Sequence, residues 1–143
     1  MYKSILCLLE VTETDKVILQ HISALAKCVG ASVTLLHVAD GFVARNQSRL
    51  NLSDSEEMVK DRLYLTERAK ELNEAGVATE TVLAQGEPWH EILEVSQAKR
   101  CDLIAMATHG HKFLGDLIFG SVAENIRHRT DVPILMIRAP KVG

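Results

Sequence analysis

Cysteine is scarce in this chain. Cys7, Cys28 and Cys101 are odd in number, far apart and without a Cys-x-x-Cys pair. That argues against a disulfide framework and a zinc ribbon, and Cys7 and Cys101, set in apolar surroundings, read as buried thiols. Long apolar runs are missing too. None approaches the roughly 18 residues that a membrane helix needs, so no membrane partner is expected. Met1-Tyr2-Lys3-Ser4 leads straight into a strand-like segment, with no charged leader, apolar middle and small-residue cleavage site, and the expected compartment is the cytoplasm. There is no excess of positive charge: 16 Lys and Arg stand against 19 Asp and Glu, a net charge of −3. Phosphate backbones call for a concentrated positive field, so no nucleic-acid partner is expected. Linkers, composition breaks and low-complexity tracts are absent, and 47% apolar with 24% charged residues is the balance of a folded globular chain. One domain over residues 1–143 is the reading.

Several catalytic signatures are also missing. No Gly-x-x-x-x-Gly-Lys-[Ser/Thr] occurs, no Gly-x-Ser-x-Gly elbow and no His-Glu-x-x-His. His109-x-His111 is the nearest approach to a ligand pair and lacks a third ligand at a recognisable spacing, so no protein-bound metal is expected. The chain names no catalytic residue and no base for an attacking water. The reading is a non-enzyme, or at most a slow ATPase.

What is present is an alternation of short apolar runs and longer helical patterns. Ser4–Leu9 is a near-continuous apolar run, as in a strand buried on both faces. Thr12 with Asp15 resembles a helix start, Ile18, Ile22, Leu25 and Val29 follow on one face, and Gly30 stands where a C-cap glycine belongs. Ser32–Val38 is a second strand, and 39–52 reads as a loop. Ser53 with Glu56 opens a helix carrying Met58, Leu65, Ala69 and Leu72, closed by Gly76. Val77–Leu83 is an outer strand, and Pro88 opens a helix whose apolar positions are Ile92, Leu93, Val95 and Ala98. Leu103–Ala107 is a buried strand, Ser121 with Glu124 caps a helix to about Arg129, and Pro133–Arg138 is the last strand. His37 reads as a satisfied core histidine and Trp89 as a packing residue, while Arg127, His128 and Arg129 suit a helix end. Alternating βα units of this length predict a single-domain, Rossmann-like α/β fold. It is an open, five-stranded parallel sheet with helices on both faces. Ligands in such sheets bind beyond the carboxyl ends of the strands, where strand order reverses.

Ala107-Thr108-His109-Gly110, nine further residues and then Gly120-Ser121 leave a buried strand, cross a glycine-containing loop and enter a capped helix. Such a segment makes a phosphate cradle. Glycines let backbone approach an anion, and free N–H groups with the helix dipole favour negative charge. Ser121 adds a hydroxyl.

These residues, together with Lys3-Ser4-Ile5-Leu6, Leu35-Leu36-His37-Val38, Gly86-Glu87-Pro88, Cys101-Asp102-Leu103-Ile104, Gly120-Ser121-Val122-Ala123-Glu124 and Val132-Pro133-Ile134-Leu135-Met136-Ile137, resemble the universal stress protein family over nearly the whole chain. ATP-binding members carry Gly-x-x-Gly, nine residues and Gly-[Ser/Thr] after the fourth strand. The resemblance implies an adenine nucleotide, ATP or AMP, with Mg accompanying ATP, and a stress-response or regulatory role. By the same likeness Val38 and Met106 lie beside the base, and Gly110, Gly120, Ser121 and Val122 lie at the phosphates. Glu10 occupies the first-strand position where binders usually carry Asp. Ala107 stands at the motif's first glycine, and Val11-Thr12 replaces the usual Gly-Ser. The alternative is a dimeric interaction module of the same fold with weak or lost nucleotide binding. Family members commonly pair the last strand with its copy, so Pro133–Arg138 is the expected homodimer contact; a regulatory protein partner is expected without an identity.

Overall fold

The computed structural model describes residues 1–40, 52–109 and 122–139. Within them the chain runs β1 (Ser4–Leu8), α1 (Asp15–Val29), β2 (Ser32–Asp40), α2 (Leu52–Glu74), β3 (Thr79–Gly86), α3 (Pro88–Ala98), β4 (Leu103–His109), a short helix α4 (122–127) and β5 (Ile134–Ala139). The five strands form one parallel sheet in the order β3-β2-β1-β4-β5. The open parallel α/β sheet expected from the alternation is therefore present.

The alternation of side chains along each strand divides the core in two. Ile5, Cys7 and Leu9, Val33 and Leu35, and Leu103, Ala105 and Ala107 pack with α1 and α2. Leu6 and Leu8, Leu36, and Ile104 and Met106 face the other way, against Ile92 of α3 and Val122 and Ile126 of α4. Right-handed crossovers require this division. The path β1→β2→β3 runs one way and puts its helices on one face; the path β3→β4→β5 runs back and puts its helices on the other. Helix α1 buries Asp15, Ile18, Leu19, Ile22 and Ala26, and it ends where Gly30, at φ 74°, donates its N–H to the Ala26 carbonyl at 2.8 Å.

Some boundaries differ from the sequence reading. Strand β3 begins at Thr79, not Val77, because the Val77 N–H still closes α2 on the Leu72 carbonyl at 2.9 Å. It runs on to Gly86, which the sequence assigns to a loop. Helix α2 begins at Leu52, a residue before the predicted cap. In α3 the buried positions are Ile92 and Ser96, one turn apart, while Ala98 is exposed. A small serine suits that place, since its carbonyl takes the Cys101 N–H at 2.9 Å where the chain turns into β4. Trp89 packs as expected and stacks under the Arg129 guanidinium, 4.4 Å from its ring centroid. Arg129 in turn donates to the Asn125 carbonyl, the role foreseen for a cation at a helix end. Cys7 and Cys101 are buried and Cys28 is exposed; burial pushes both buried thiols up, that of Cys7 far out of reach of physiological pH.

The start of β1 is tied to the start of β4 by one carboxylate. Asp102 accepts the N–H groups of Lys3 at 2.9 Å and Ser4 at 3.0 Å, and its own N–H donates to the Ser4 carbonyl at 2.8 Å.

Candidate functional site

Strand order reverses between β1 and β4, and there the central strand is the short one. Leu8, the last residue of β1, is level with Leu36, yet β2 continues from His37 to Asp40 alongside β3. The last β4 partner of β1 is Ala105, opposite Cys7, yet β4 continues from Met106 to His109 alongside β5. At about 3.3 Å of rise per residue the two flanking strands stand about 10–13 Å above the end of β1. The result is a notch at the carboxyl edge of the sheet, where α/β folds hold their ligands.

The chain crosses the floor of this notch in a constrained turn. Val11 adopts φ 61°, in the left-handed region that favours glycine. A β-branched residue is rare there and is strained. The turn is held by Asp15, which is 1% exposed. Its two carboxylate oxygens accept the Glu10 and Val11 N–H groups at 2.9 Å each, and Tyr64 of α2 donates its hydroxyl to the same carboxylate at 2.7 Å. The sequence pattern marks Asp15 as a local helix-start residue. The helix instead starts at Asp15 itself, and the carboxylate reaches back over the loop. Burial, then the bond to Asp15, push the Tyr64 phenol well above its ordinary value. A second bond reaches the same loop: His37 Nδ1 lies 2.8 Å from the Leu9 carbonyl. A carbonyl only accepts, so Nδ1 carries the proton. His37 is thus satisfied, although half-buried rather than deep in the core.

The site residues named from the sequence fall as follows. Glu10 leaves the end of β1, and its carboxylate accepts the Thr14 hydroxyl at 2.9 Å at the start of α1. Val38 of β2 is half-buried, and Met106 of β4 and Val122 of α4 are buried. These three share one apolar cluster on the α3–α4 face. Ala107 is buried on the opposite face, its methyl group in the cluster that includes Leu9 and Ile137. Gly110, Gly120 and Ser121 lie outside the described residues, as do His111 and Lys112. Glu124 is bound within its own helix, accepting Arg127 at 2.8 Å and His128 at 3.1 Å. The bond from Arg127, and then that from His128, hold its carboxyl down to about 2. Tyr64 and Asp61, both on α2, reach Asp15 and His37 but carry no local signal that would have announced them; Tyr64 lies 49 residues from Asp15. Among the described residues no three His, Cys, Asp or Glu side chains gather as a metal site.

A family model described as the universal stress protein family matches residues 1–138. The chain belongs to the universal stress protein family. Universal stress protein MJ0577 of Methanocaldococcus jannaschii is 29% identical over 160 residues, covering 96% of this chain and 96% of that protein. Its solved structure superposes with a TM-score of 0.80 at 26% identity, covering 99% of both chains. A universal stress protein from Archaeoglobus fulgidus, solved in complex with dAMP, shares the fold at TM-score 0.69 and 18% identity, over 95% of this chain and 98% of that one. A universal stress protein in complex with cAMP does so at 0.70 and 14%, over 96% and 98%. Among the described residues, no helix of this universal stress protein is long and apolar enough to cross a membrane.

Proposed function

We propose that this protein binds an adenine nucleotide, ATP or AMP, in the notch over β1 and works as a stress-response regulator. The observation that carries this reading is the stepped sheet edge, in which β2 and β4 outrun β1 at the strand-order switch. The groups around the notch fit the ligand. Val38 and its neighbours give an apolar wall for a base, and Glu10 gives a carboxylate of the kind that takes ribose hydroxyls. Gly110, Gly120, Ser121 and Val122 would cradle the phosphates at the start of α4, with Mg entering as a companion of ATP. The dAMP and cAMP complexes of fold neighbours support the same ligand class.

A second reading is favoured by Val11. A strained valine where binders of the family carry glycine makes the first loop less yielding, as an interaction module with weak nucleotide affinity would allow. In either reading the protein is a homodimer. Strand β5 is at the sheet edge, Met136 is 46% exposed, and an uncovered edge of this kind invites a second copy about a two-fold axis.

The experiment is mass spectrometry of the small molecule released from the purified protein, followed by titration calorimetry with ATP. Gly120→Val is expected to abolish binding while the fold persists, and Ser121→Ala to cost about 0.5–1.5 kcal/mol. Equal binding by the wild type and Gly120→Val would misplace the cradle. No binding by the wild type, nor by Ala107→Gly with Glu10→Asp, would favour the interaction module. Hydrolysis is expected to be slow; turnover near about 10 per second in a phosphate-release assay would contradict it.

A further inference from the structure

Two side-chain routes lead from helix α2 to three consecutive residues of the β1–α1 loop. One runs Tyr64 to Asp15 to the Glu10 and Val11 N–H groups. The other runs from Asp61, three residues before Tyr64, to His37 and on to the Leu9 carbonyl. The first link is complete. The second has a gap: His37 Nε2 and Asp61 Oδ2 are 3.8 Å apart, with side chains only 18% and 14% exposed.

The proton count of the pair agrees with that spacing. With its Nδ1 proton given to Leu9, neutral His37 presents a lone pair at Nε2, and an ionised Asp61 presents another. Two acceptors make no hydrogen bond. One added proton, on Nε2 or on the carboxyl, turns the pair into donor and acceptor and closes the link. If it goes to the ring, the charge also strengthens the bond to the Leu9 carbonyl.

We propose that His37 and Asp61 are positioning residues for the β1–α1 loop, and that the single proton they share makes nucleotide affinity rise as the pH falls. This rests on the reading that the notch binds an adenine nucleotide. A loop held at Leu9, Glu10 and Val11 together is ordered before the ligand arrives, so less order has to be imposed on binding. The groups around the pair agree. On α2, burial pushes the Asp61 carboxyl up, His37 works against that, and Glu57 adds to it. From β3 the register partner of His37 is the uncharged Leu83. Of the acids nearby, Glu10 of the loop accepts from Thr14, Asp15 at the start of α1 is engaged by Tyr64 and the loop amides, and Glu13 of the loop is exposed. Linkage is reciprocal, so a bound nucleotide must raise the proton affinity of the pair by the factor that the proton raises nucleotide affinity.

The test has a part that needs no ligand. In the ligand-free wild type, the Glu10 and Val11 amide resonances are expected to follow the His37 ring titration, and to stop doing so in Asp61→Asn, whose side-chain amide is a permanent donor to Nε2. Amides that stay fixed while the ring titrates overturn the proposal. In the second part ATP is titrated into wild type, His37→Gln and Asp61→Asn at about pH 8 and about pH 5, the range in which histidine changes charge. The terminal phosphate itself takes up a proton near about pH 6, so the ratio of wild type to His37→Gln is read. That ratio is expected to rise about fivefold towards the acid side, the low end of coupling between sites. Asp61→Asn is expected to bind at about pH 8 as the wild type does at about pH 5, after the same correction. Equal slopes in wild type and both variants overturn the proposal. Coupled amides with no ATP binding at any pH would instead sink the nucleotide reading of the notch and leave the loop coupling standing.

Discussion

Asp15→Ala is the sharpest test of the loop architecture. The change removes the acceptor for the Glu10 and Val11 N–H groups and for the Tyr64 hydroxyl, at a position 1% exposed. A hydrogen bond to a charged group is worth about 1.5–3 kcal/mol. Three of them are not additive, and unfolding returns the carboxylate to water, which offsets part of the sum. The expected loss is about 3–5 kcal/mol, three such bonds less that offset. For a chain of this size that corresponds to a Tm lower by about 10 °C or more. Tyr64→Phe removes one bond and leaves the carboxylate its two amides, so about 1–2 kcal/mol is expected. The double variant should lose about 1–2 kcal/mol less than the two single losses together, because the Tyr64 bond is counted twice. Urea unfolding with an unchanged m-value is the assay. A loss under about 1 kcal/mol for Asp15→Ala, or strict additivity with Tyr64→Phe, would refute the claim that this carboxylate holds the turn.

Three further outcomes are expected. Val11→Gly relieves a left-handed valine, worth about 1–3 kcal/mol, against about 0.5–1 kcal/mol of added chain entropy; the variant should be as stable as wild type or more so in the same assay, and a loss of about 2 kcal/mol would contradict the strain. Burial acts to raise the Asp102 carboxyl, but the bonds from Lys3 and Ser4 outweigh it and hold it below its ordinary 3.8; its stabilisation is therefore present above that value and lost as the pH falls through the lower folded one, so Asp102→Asn should flatten the acid limb of a stability profile. In the proposed homodimer, Met136→Glu puts a charge on the exposed edge strand and should shift sedimentation from twice 15.8 kDa towards the single chain; a dimer unchanged by it would move the interface elsewhere, and a single-chain wild type would contradict the proposal.

The sheet is legible in the sequence because its inner strands are buried on both faces. Ile5–Leu9 and Leu103–Ala107 are runs with no polar break, and no other arrangement of so short an apolar segment suits a parallel α/β chain. Gly30 marks the end of α1 because a left-handed cap there favours glycine. Local pattern fails where a group is used at long range. Asp15 has the spacing of a helix-start residue, yet its oxygens serve the preceding loop and a tyrosine on another helix. Val77 has a strand-forming side chain, but its N–H is already committed to α2. The stepped edge over β1 is legible only in part. That ligands sit at the switch point follows from strand order; that β2 and β4 outrun β1 depends on pairing between segments that no window of sequence contains.

The clamp of Asp102 on Lys3 and Ser4 spans 99 and 98 residues, and it has a consequence for how the chain is made. During synthesis β1, β2 and β3 leave the ribosome first, and they are neighbours in the finished sheet, so they can associate early. The seam between β1 and β4 must wait until Asp102 has emerged, and β1 until then has one bare side. The notch sits on that seam. A nascent chain stalled before β4 would hold three paired strands and two helices without a notch, and the notch would come into being in the same step that covers the open flank of its central strand.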